Sequence, residues 1–379
     1  MYKIGVVGAG HLGKIHLKIL KSSSFTNLIG FYDSNPEVRE NITLELGIKS
    51  FNSYQELIEN SDVIDIVTPT LSHYSCAKQA LLSNKHVFIE KPVTHTVDEV
   101  KKLIKLAQIT GKKVQVGHVE RFNPAFTEAS KLIHKPRFIE VHRLAQFNPR
   151  GTDVSVIHDL MIHDLDIVLH IVKSPVKSIN ASGVSVLSST PDIANARIEF
   201  INGCVANITS SRMSLNNVRK SRFFQKNAYV SVDFLNRSHE YIRLDSNKIP
   251  NEKLILKHGQ ENPKESVMIQ TLNNSGINPI KEELKSFINS IESNINPAVD
   301  LESAQMALKL TIDIMEQITM DQNWLMNNLF FLNFDFKRVL FLFLIINTSC
   351  QIIDQPEIAP SFIKIEKFKF ETINPNQGT

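Results

Sequence analysis

A chain of 379 residues is long enough for two domains, each with its own core. Hydrophobic residues at 42% and charged residues at 21% are ordinary for a soluble globular protein, and a formal charge of +3 is too small to argue for nucleic acid or an anionic membrane as partner. The cysteines, Cys76, Cys204 and Cys350, lie far apart with no CxxC pair. Neither a zinc knuckle nor a disulfide framework is indicated, and a reducing compartment fits best.

The chain opens with MYKIGVVGAG, which enters an apolar run and a glycine turn directly. It lacks the serial charged, hydrophobic and cleavage regions of a secretory signal, which predicts a cytoplasmic protein. Residues 3–7, KIGVV, read as a buried strand. GAGHLG follows, with Gly8, Gly10 and Gly13 in GxGxxG spacing around His11 and Leu12, and KIHLKIL continues in helical rhythm. A phosphate-binding turn needs that order. Gly8 permits the tight turn, Gly10 lets backbone approach a pyrophosphate, and Gly13 lets helix and strand pack closely. A second strand, NLIGFY, ends at Asp33, twenty residues beyond Gly13. An acid there can hydrogen-bond the ribose hydroxyls and repel a 2′-phosphate, favouring NAD over NADP; the alternative is a turn aspartate in DSNP.

Further along, SDVIDIVTPT reads as a strand ending at Thr68-Pro69, SHYSCAKQALLSN as a helix, and HVFIE as a strand ending at Glu90, before Lys91-Pro92. TVDEVKKLIKLAQITG and KVQVGH add a helix and a strand. Alternating strands and helices predict an α/β, doubly wound parallel sheet over residues 1–120. Ligands of such sheets sit at the carboxyl ends of the strands. Gly8, Asp33, Thr68, Glu90, Lys91 and Gly117 are therefore expected to line one crevice.

From about Arg121 the pattern changes, and residues 121–323 read as an α+β domain with a mostly antiparallel, open sheet. Its strands are RFIEVHRLAQF, VKSINASGVSV, IANARIEF, CVANITSS, YVSVDF and SVMIQTL, with Asn202-Gly203 as a hairpin signal. Arg212, Arg219, Lys220 and Arg222 form a basic cluster, read either as a solvated loop or as a reader of a substrate diphosphate. Arg150, in FNPRGTD, is placed to meet substrate. The helical segments INPIKEELKSFINSIES and DLESAQMALKLTIDIMEQI are candidates to return to the first domain. Residues 324–379 are atypical: Lys337-Arg338, a short apolar run and Thr348-Ser349-Cys350 resemble a lipoprotein signal segment. They read either as a fused neighbouring reading frame starting near Met326 or as a poorly packed tail.

IHDLMIHDLDIV, residues 157–168, sets two histidines and three aspartates among Leu, Ile and Val. At helical spacing Asp159, His163, Asp166 and His170 share one face, with His158 and Asp164 pointing elsewhere as bystanders. Three readings are open: mutual pairing in the core, metal ligation, or a general base. Metal is disfavoured because no second ligand cluster is evident. An imidazole suits removal of a hydroxyl proton, and Lys91 suits stabilisation of the developing alkoxide.

The Gly8–Gly13 turn, Thr68-Pro69, His73, Glu90-Lys91-Pro92 and the acid/histidine helix, in this order, resemble the Gfo/Idh/MocA family of oxidoreductases. The resemblance implies that Lys91 and His163 carry the chemistry, with Asp159 and Asp166 completing a D-x-x-x-H-x-x-D stretch in which Met161 stands where many members have glycine. It implies cofactor contacts from Gly8, Gly10, His11, Leu12, Gly13, Asp33, Thr68, Pro69, His73, Glu90 and Lys91. Substrate contacts are expected from Lys91, Arg150, Asp159, His163 and Arg212. It also implies pairing of copies through the open sheet, as a homodimer or homotetramer. VGHVERFNPAF and PRGTDVSVIHDLMIHDLDIV are closest to members resembling UDP-N-acetylglucosamine 3-dehydrogenases, so NAD-dependent oxidation of a ring hydroxyl of a nucleotide sugar is expected. The alternatives are a dehydrogenase of a free sugar or polyol, an NAD-dependent glycosidase, and a non-catalytic dinucleotide sensor.

Overall fold

Residues 1–148, 154–245, 255–257, 266–273 and 276–320 are described by a computed structural model. Arg150 and the tail from 324 lie outside them. The short apolar runs of the first domain form β1 (Lys3–Val7), β2 (Asn27–Tyr32), β3 (Val63–Ile66), β4 (His86–Glu90) and β5 (Val114–Gly117), all parallel, in the order β2-β1-β3-β4-β5. Between them run α1 (His11–Lys21), α2 (Pro36–Leu46), α3 (Tyr54–Asn60), α4 (Thr70–Leu82) and α5 (Val97–Thr110). α2 and α3 were not anticipated; local chemistry starts them, with Asn35 capping before Pro36 and Ser53 capping through Glu56 N–H.

Strand parity divides this domain into two apolar layers. Val7, Ile64, Ile66, Val87, Ile89, Val114 and Val116 pack with Ala77, Leu81, Val100 and Leu103 of α4 and α5. On the opposite face Ile4, Val6, Val63 and Phe88 pack with Leu17 and Leu20 of α1.

The second domain contains α6 (Pro124–Ala129), β6 (Phe138–Leu144), α7 (Ile162–Val172), β7 (Val176–Val184), β8 (Ile193–Phe200), β9 (Val205–Ser211), β10 (Val218–Gln225), β11 (Ala228–Asp233), β12 (Ser238–Asp245), β13 (Ile255–Lys257) and β14 (Ser266–Asn273). They form a nine-stranded sheet, β13-β14-β12-β11-β10-β6-β9-β8-β7, antiparallel except for β6 with β9. The Asn202-Gly203 hairpin joins β8 to β9, with Gly203 at φ +83°. The loop reading of the basic cluster is overturned in part: VRKSRFFQ is β10, a central strand between β11 and β6. α6 and α7 cover one face; Phe126, Leu165 and Val168 meet Ile139, Val141, Ile208 and Phe223 there.

Two closing helices follow, α8 (Pro279–Glu292) and α9 (residues 301–320). Both return to the first domain. Leu284, Phe287, Ile288 and Ile291 of α8 complete the layer beneath α1. The first half of α9 packs Leu301, Ala304 and Leu308 into the α4/α5 layer, and its second half packs Leu310, Ile314 and Ile318 into the second-domain core.

Candidate active site

The glycine turn has the shape its spacing implies. Gly8 sits at φ +92°, and a Cβ there would lie 2.6 Å from the Val67 carbonyl oxygen. A Cβ on Gly13 would lie 2.0 Å from the Gly8 carbonyl oxygen, whereas one on Gly10 would meet nothing within 4 Å. Two positions thus require glycine for packing, and Gly10 faces open space. α1 begins beyond Gly10 without a side-chain cap, so its N-terminus is available to an anion.

That turn borders a cavity of about 530 Å³ lined by Gly8, Gly10, His11, Leu12, Asp33, Thr68, Pro69, Glu90 and Lys91, together with Tyr32, Tyr54, Ser72 and Cys76. The carboxyl ends of β1 to β4 therefore converge as the alternation predicts, but Gly117 of β5, expected in the same crevice, is not part of this lining and lies against the Glu90 carboxylate. Asp33 Oδ2 accepts the Ala9 N–H at 2.8 Å and Oδ1 accepts the Asn35 N–H at 2.9 Å, which ties the acid to the glycine turn. Arg39 donates to the Asp33 carbonyl oxygen and lies over the Tyr32 ring, 5.6 Å from its centroid. His73 stands behind the cavity wall, its ring nitrogens each 2.8 Å from a carbonyl oxygen, Nδ1 from Pro92 and Nε2 from Thr68. Burial pushes His73 below the ordinary imidazole range. A neutral ring donates to only one of these two carbonyl oxygens. The room, the glycine turn and an acid at the end of β2 all fit a dinucleotide.

The second domain meets this cavity at Lys91, whose peptide bond to Pro92 is cis. Lys91 Nζ donates to the Asp159 main-chain oxygen at 2.8 Å and pairs with Asp159 Oδ1 at 3.2 Å. The lysine side chain is 17% exposed and the aspartate 51%. Asp159 lies in a π-helical turn, Ile157–Met161, that opens α7. That wider turn, invisible to a 3.6-residue wheel, frees Asp159 from the regular helical face; such turns cluster at functional sites.

His163 follows at the start of α7. Its Nδ1 is buried without a hydrogen-bond partner. Burial, then the positive charge of Lys91 and of Arg143, lowers it well below the ordinary imidazole range. The charge of Lys91, from the other domain, thus reaches the His163 ring. The rest of the acid/histidine stretch is paired. Arg121 grips Asp166 through Nε–Oδ2 at 2.7 Å and Nη2–Oδ1 at 2.6 Å, and its Nη1 donates to His170 Nδ1 at 3.0 Å. Asp164, expected to be a bystander, is buried in a fork with Arg143, at 2.6 and 3.0 Å, while Arg143 Nη1 reaches Glu120 at 3.0 Å. His158 Nδ1 lies 2.9 Å from Ser155 Oγ.

The basic cluster divides. Arg212 is buried, donating to the Val154 carbonyl oxygen and 3.7 Å from Asp192. Along β10 the pleat separates Arg219 from Lys220 and Arg222; Arg222 pairs with Glu140 at 2.9 Å. Arg219 faces Glu120 at 3.8 Å, is 49% exposed, and its charge reaches both His163 and Asp164. Spacing motifs did not single out Arg121, Arg143, His118 or Glu120. One signal was present: Arg143 shares core parity with Ile139 and Val141 in FIEVHRL, and a charge at such a position requires a partner. Among the described residues, no group of three or more His, Cys, Asp or Glu could hold a metal ion, and no helix is long and apolar enough to cross a membrane.

Comparison with known proteins agrees with this geometry. Residues 2–118 match the oxidoreductase family with an NAD-binding Rossmann fold, and residues 133–224 match the GFO/IDH/MocA C-terminal domain. UDP-N-acetylglucosamine 3-dehydrogenase of Acidithiobacillus ferrooxidans is 37% identical over 243 residues, 64% of this chain and 77% of that protein. Its crystal structure superposes with a TM-score of 0.76 at 30% identity, covering 84% of this chain and 97% of that one. NAD(+)-dependent scyllo-inositol 2-dehydrogenase of Bacillus subtilis is 29% identical over 232 residues, 56% of this chain and 68% of that protein. The chain belongs to the Gfo/Idh/MocA family of oxidoreductases. It is an NAD-linked sugar-dehydrogenase-type enzyme acting on CH–OH groups.

Proposed function

We propose that this enzyme oxidises a secondary ring hydroxyl of a nucleotide sugar, of the UDP-N-acetylhexosamine type, to the ketone. The observation that carries this reading is the meeting of Lys91 with the start of α7, 2.8 Å from the Asp159 main-chain oxygen. The Gly8–Gly13 turn, Asp33 and the Thr68-Pro69 loop would hold NAD, which when bound would accept the hydride of the substrate C–H. His163 takes the hydroxyl proton; a ring held neutral by burial is ready to accept it. Lys91 donates to the same oxygen and stabilises its developing charge. Asp159 orients the Lys91 ammonium and accepts from a neighbouring sugar hydroxyl. Arg219, half exposed at the rim of this site, is the member of the basic cluster suited to a diphosphate.

The likeness to a UDP-N-acetylglucosamine 3-dehydrogenase supports the nucleotide-sugar class over a free polyol. Pairing of two copies through the open sheet face is part of the same reading. Phe138, Phe224 and Tyr229 form an aromatic cluster there, with centroids 5.8 and 5.0 Å apart. A cytoplasmic location follows from the substrate class. The test is a panel of UDP-sugars, free sugars and inositols with NAD, followed by NADH absorbance and product mass. Turnover is expected with a UDP-N-acetylhexosamine, giving a product two hydrogens lighter. Preference for a free polyol, or a cleaved glycoside, overturns the assignment. Lys91→Ala and His163→Ala are each expected to lower kcat by roughly 100-fold or more; unchanged turnover in either refutes that role.

A further inference from the structure

Between the first-domain sheet and helices α1 and α8 lies a buried polar cluster that the proposed chemistry does not use. Strand register builds it. Asp65, Phe88 and Gln115 are neighbours across β3, β4 and β5, and Glu90 and Gly117 follow two residues on, on the same face. Phe88 joins the apolar layer at that depth, but His16 of α1 inserts beside it, ring centroids 6.0 Å apart. His16 Nδ1 lies 2.9 Å from Asp65 Oδ2, and Nε2 lies 3.3 Å from Glu90 Oε1, an ion-pair separation. The second Glu90 oxygen, Oε2, accepts the main-chain N–H of Lys91 at 3.2 Å. On its other side the Glu90 carboxylate rests on Gly117, where an added Cβ would come within 2.8 Å of Oε1. The glutamate is therefore held between His16, Gly117 and the Lys91 amide.

We propose that His16 is a positioning residue for the dehydrogenation: by tying Asp65 on β3 to Glu90 on β4 it fixes the Glu90–Lys91 turn and, through it, the Lys91 ammonium. This rests on the reading of Lys91 as the group that meets the substrate oxygen. The charge balance fits. His16 is faced by Asp65 of β3 and Glu90 of β4, and a third carboxylate, Glu283 of α8, is buried beside them. Burial works against a charged ring, yet Asp65 and then Glu90 more than offset it and hold His16 well above the ordinary imidazole range. Glu283 is pushed well above the usual carboxylate range, by burial first and then by Glu90. The ring thus stands between two carboxylates, with Nδ1 2.9 Å from Asp65 and Nε2 3.3 Å from Glu90.

The test uses the full chain, NADH binding by fluorescence, and the panel sugar with the highest turnover. His16→Asn is expected to lower kcat roughly 10- to 100-fold, the scale of a misplaced catalytic group, while NADH affinity stays within about threefold of wild type. Adding Glu90→Gln, which removes the carboxylate that needs the imidazolium, is expected to produce no further multiplication of the loss. A kcat within twofold of wild type, an equal fall in NADH affinity, or fully multiplicative losses overturn the proposal. Lys91→Ala run alongside separates the two readings. If it retains activity, the Lys91 assignment fails; if it is inactive while His16→Asn is unaffected, only the role of His16 fails. A second measurement needs no variant. In ¹⁵N spectra of the wild-type imidazoles at pH 8.5, where an unperturbed ring is neutral, one imidazolium signal is expected to persist, and its absence overturns the proposal.

Discussion

Asp164 and Arg143 meet inside the second domain with side chains only 2% and 3% exposed, joined by hydrogen bonds of 2.6 and 3.0 Å. Asp164→Asn keeps the size of the side chain and removes its charge. Arg143 is then left with Glu120 at 3.0 Å as its one remaining close carboxylate. Removing one member of a buried pair costs about 3–5 kcal/mol, because the other charge stays desolvated. The surviving contact to Glu120 sets the expectation at the low end, about 3 kcal/mol. For a chain of this size each kcal/mol moves the midpoint by about 1–1.5 °C, so thermal unfolding followed by far-ultraviolet circular dichroism should show Tm lower by about 4 °C. Asp159→Asn is the control. It removes the same charge from a half-exposed carboxylate and should change stability by less than about 1 kcal/mol. A Tm shift under about 2 °C for Asp164→Asn, or equal shifts for the two variants, would refute the argument that burial, not charge alone, makes this pair matter.

His163 is held neutral by burial and by the Lys91 charge, so the acid limb of kcat/KM should fall well below pH 6.5; an inflection at 6.5 would assign the base elsewhere. Asp33→Ala removes the carboxylate tied to Ala9 and Asn35 and is expected to weaken NAD and relax discrimination against NADP, read as the ratio of the two dissociation constants. Glu283 has a folded pKa raised above its unfolded value. Its stabilising contribution is therefore complete below about pH 4.5 and is lost as pH rises through the folded value, because the unfolded chain releases the proton first. Glu283→Gln should accordingly gain in Tm relative to wild type between pH 5 and 8, and parallel pH profiles of the two proteins would show that the group is not buried as a neutral acid.

All five strands and three of the five helices of the first domain are legible in the sequence, because the strands are buried on both faces and those helices carry one apolar stripe. NLIGFY and HVFIE coincide with β2 and β4 residue for residue. In the second domain β10 is hidden, because one face of that sheet is open and VRKSRFFQ carries basic residues on both sides of its pleat. SHEYIRLD, which forms β12, dilutes its alternation in the same way. At the site, the glycine turn and Asp33 follow from local rules of spacing and strand ends, whereas the approach of Lys91 to Asp159, 68 positions on, is expected only from the family resemblance. The forks from Arg121 to Asp166 and from Arg143 to Asp164 do not follow from local rules, since they join residues 45 and 21 positions apart. The π-helical turn at Ile157–Met161 leaves no composition signal. Parity alone, with Arg143 inward beside Ile139 and Val141, points at a buried charge without naming its partner.

The layer under α1 is closed by Leu284, Phe287 and Ile288 of α8, a helix that follows the entire second domain. A ribosome releasing this chain exposes Ile4, Val6 and Phe88 long before their cover exists. The nucleotide-binding half is thus the first to be made and the last to be sealed. Fragments ending before residue 279 should behave as sticky, protease-sensitive species, even though they contain every strand of that half.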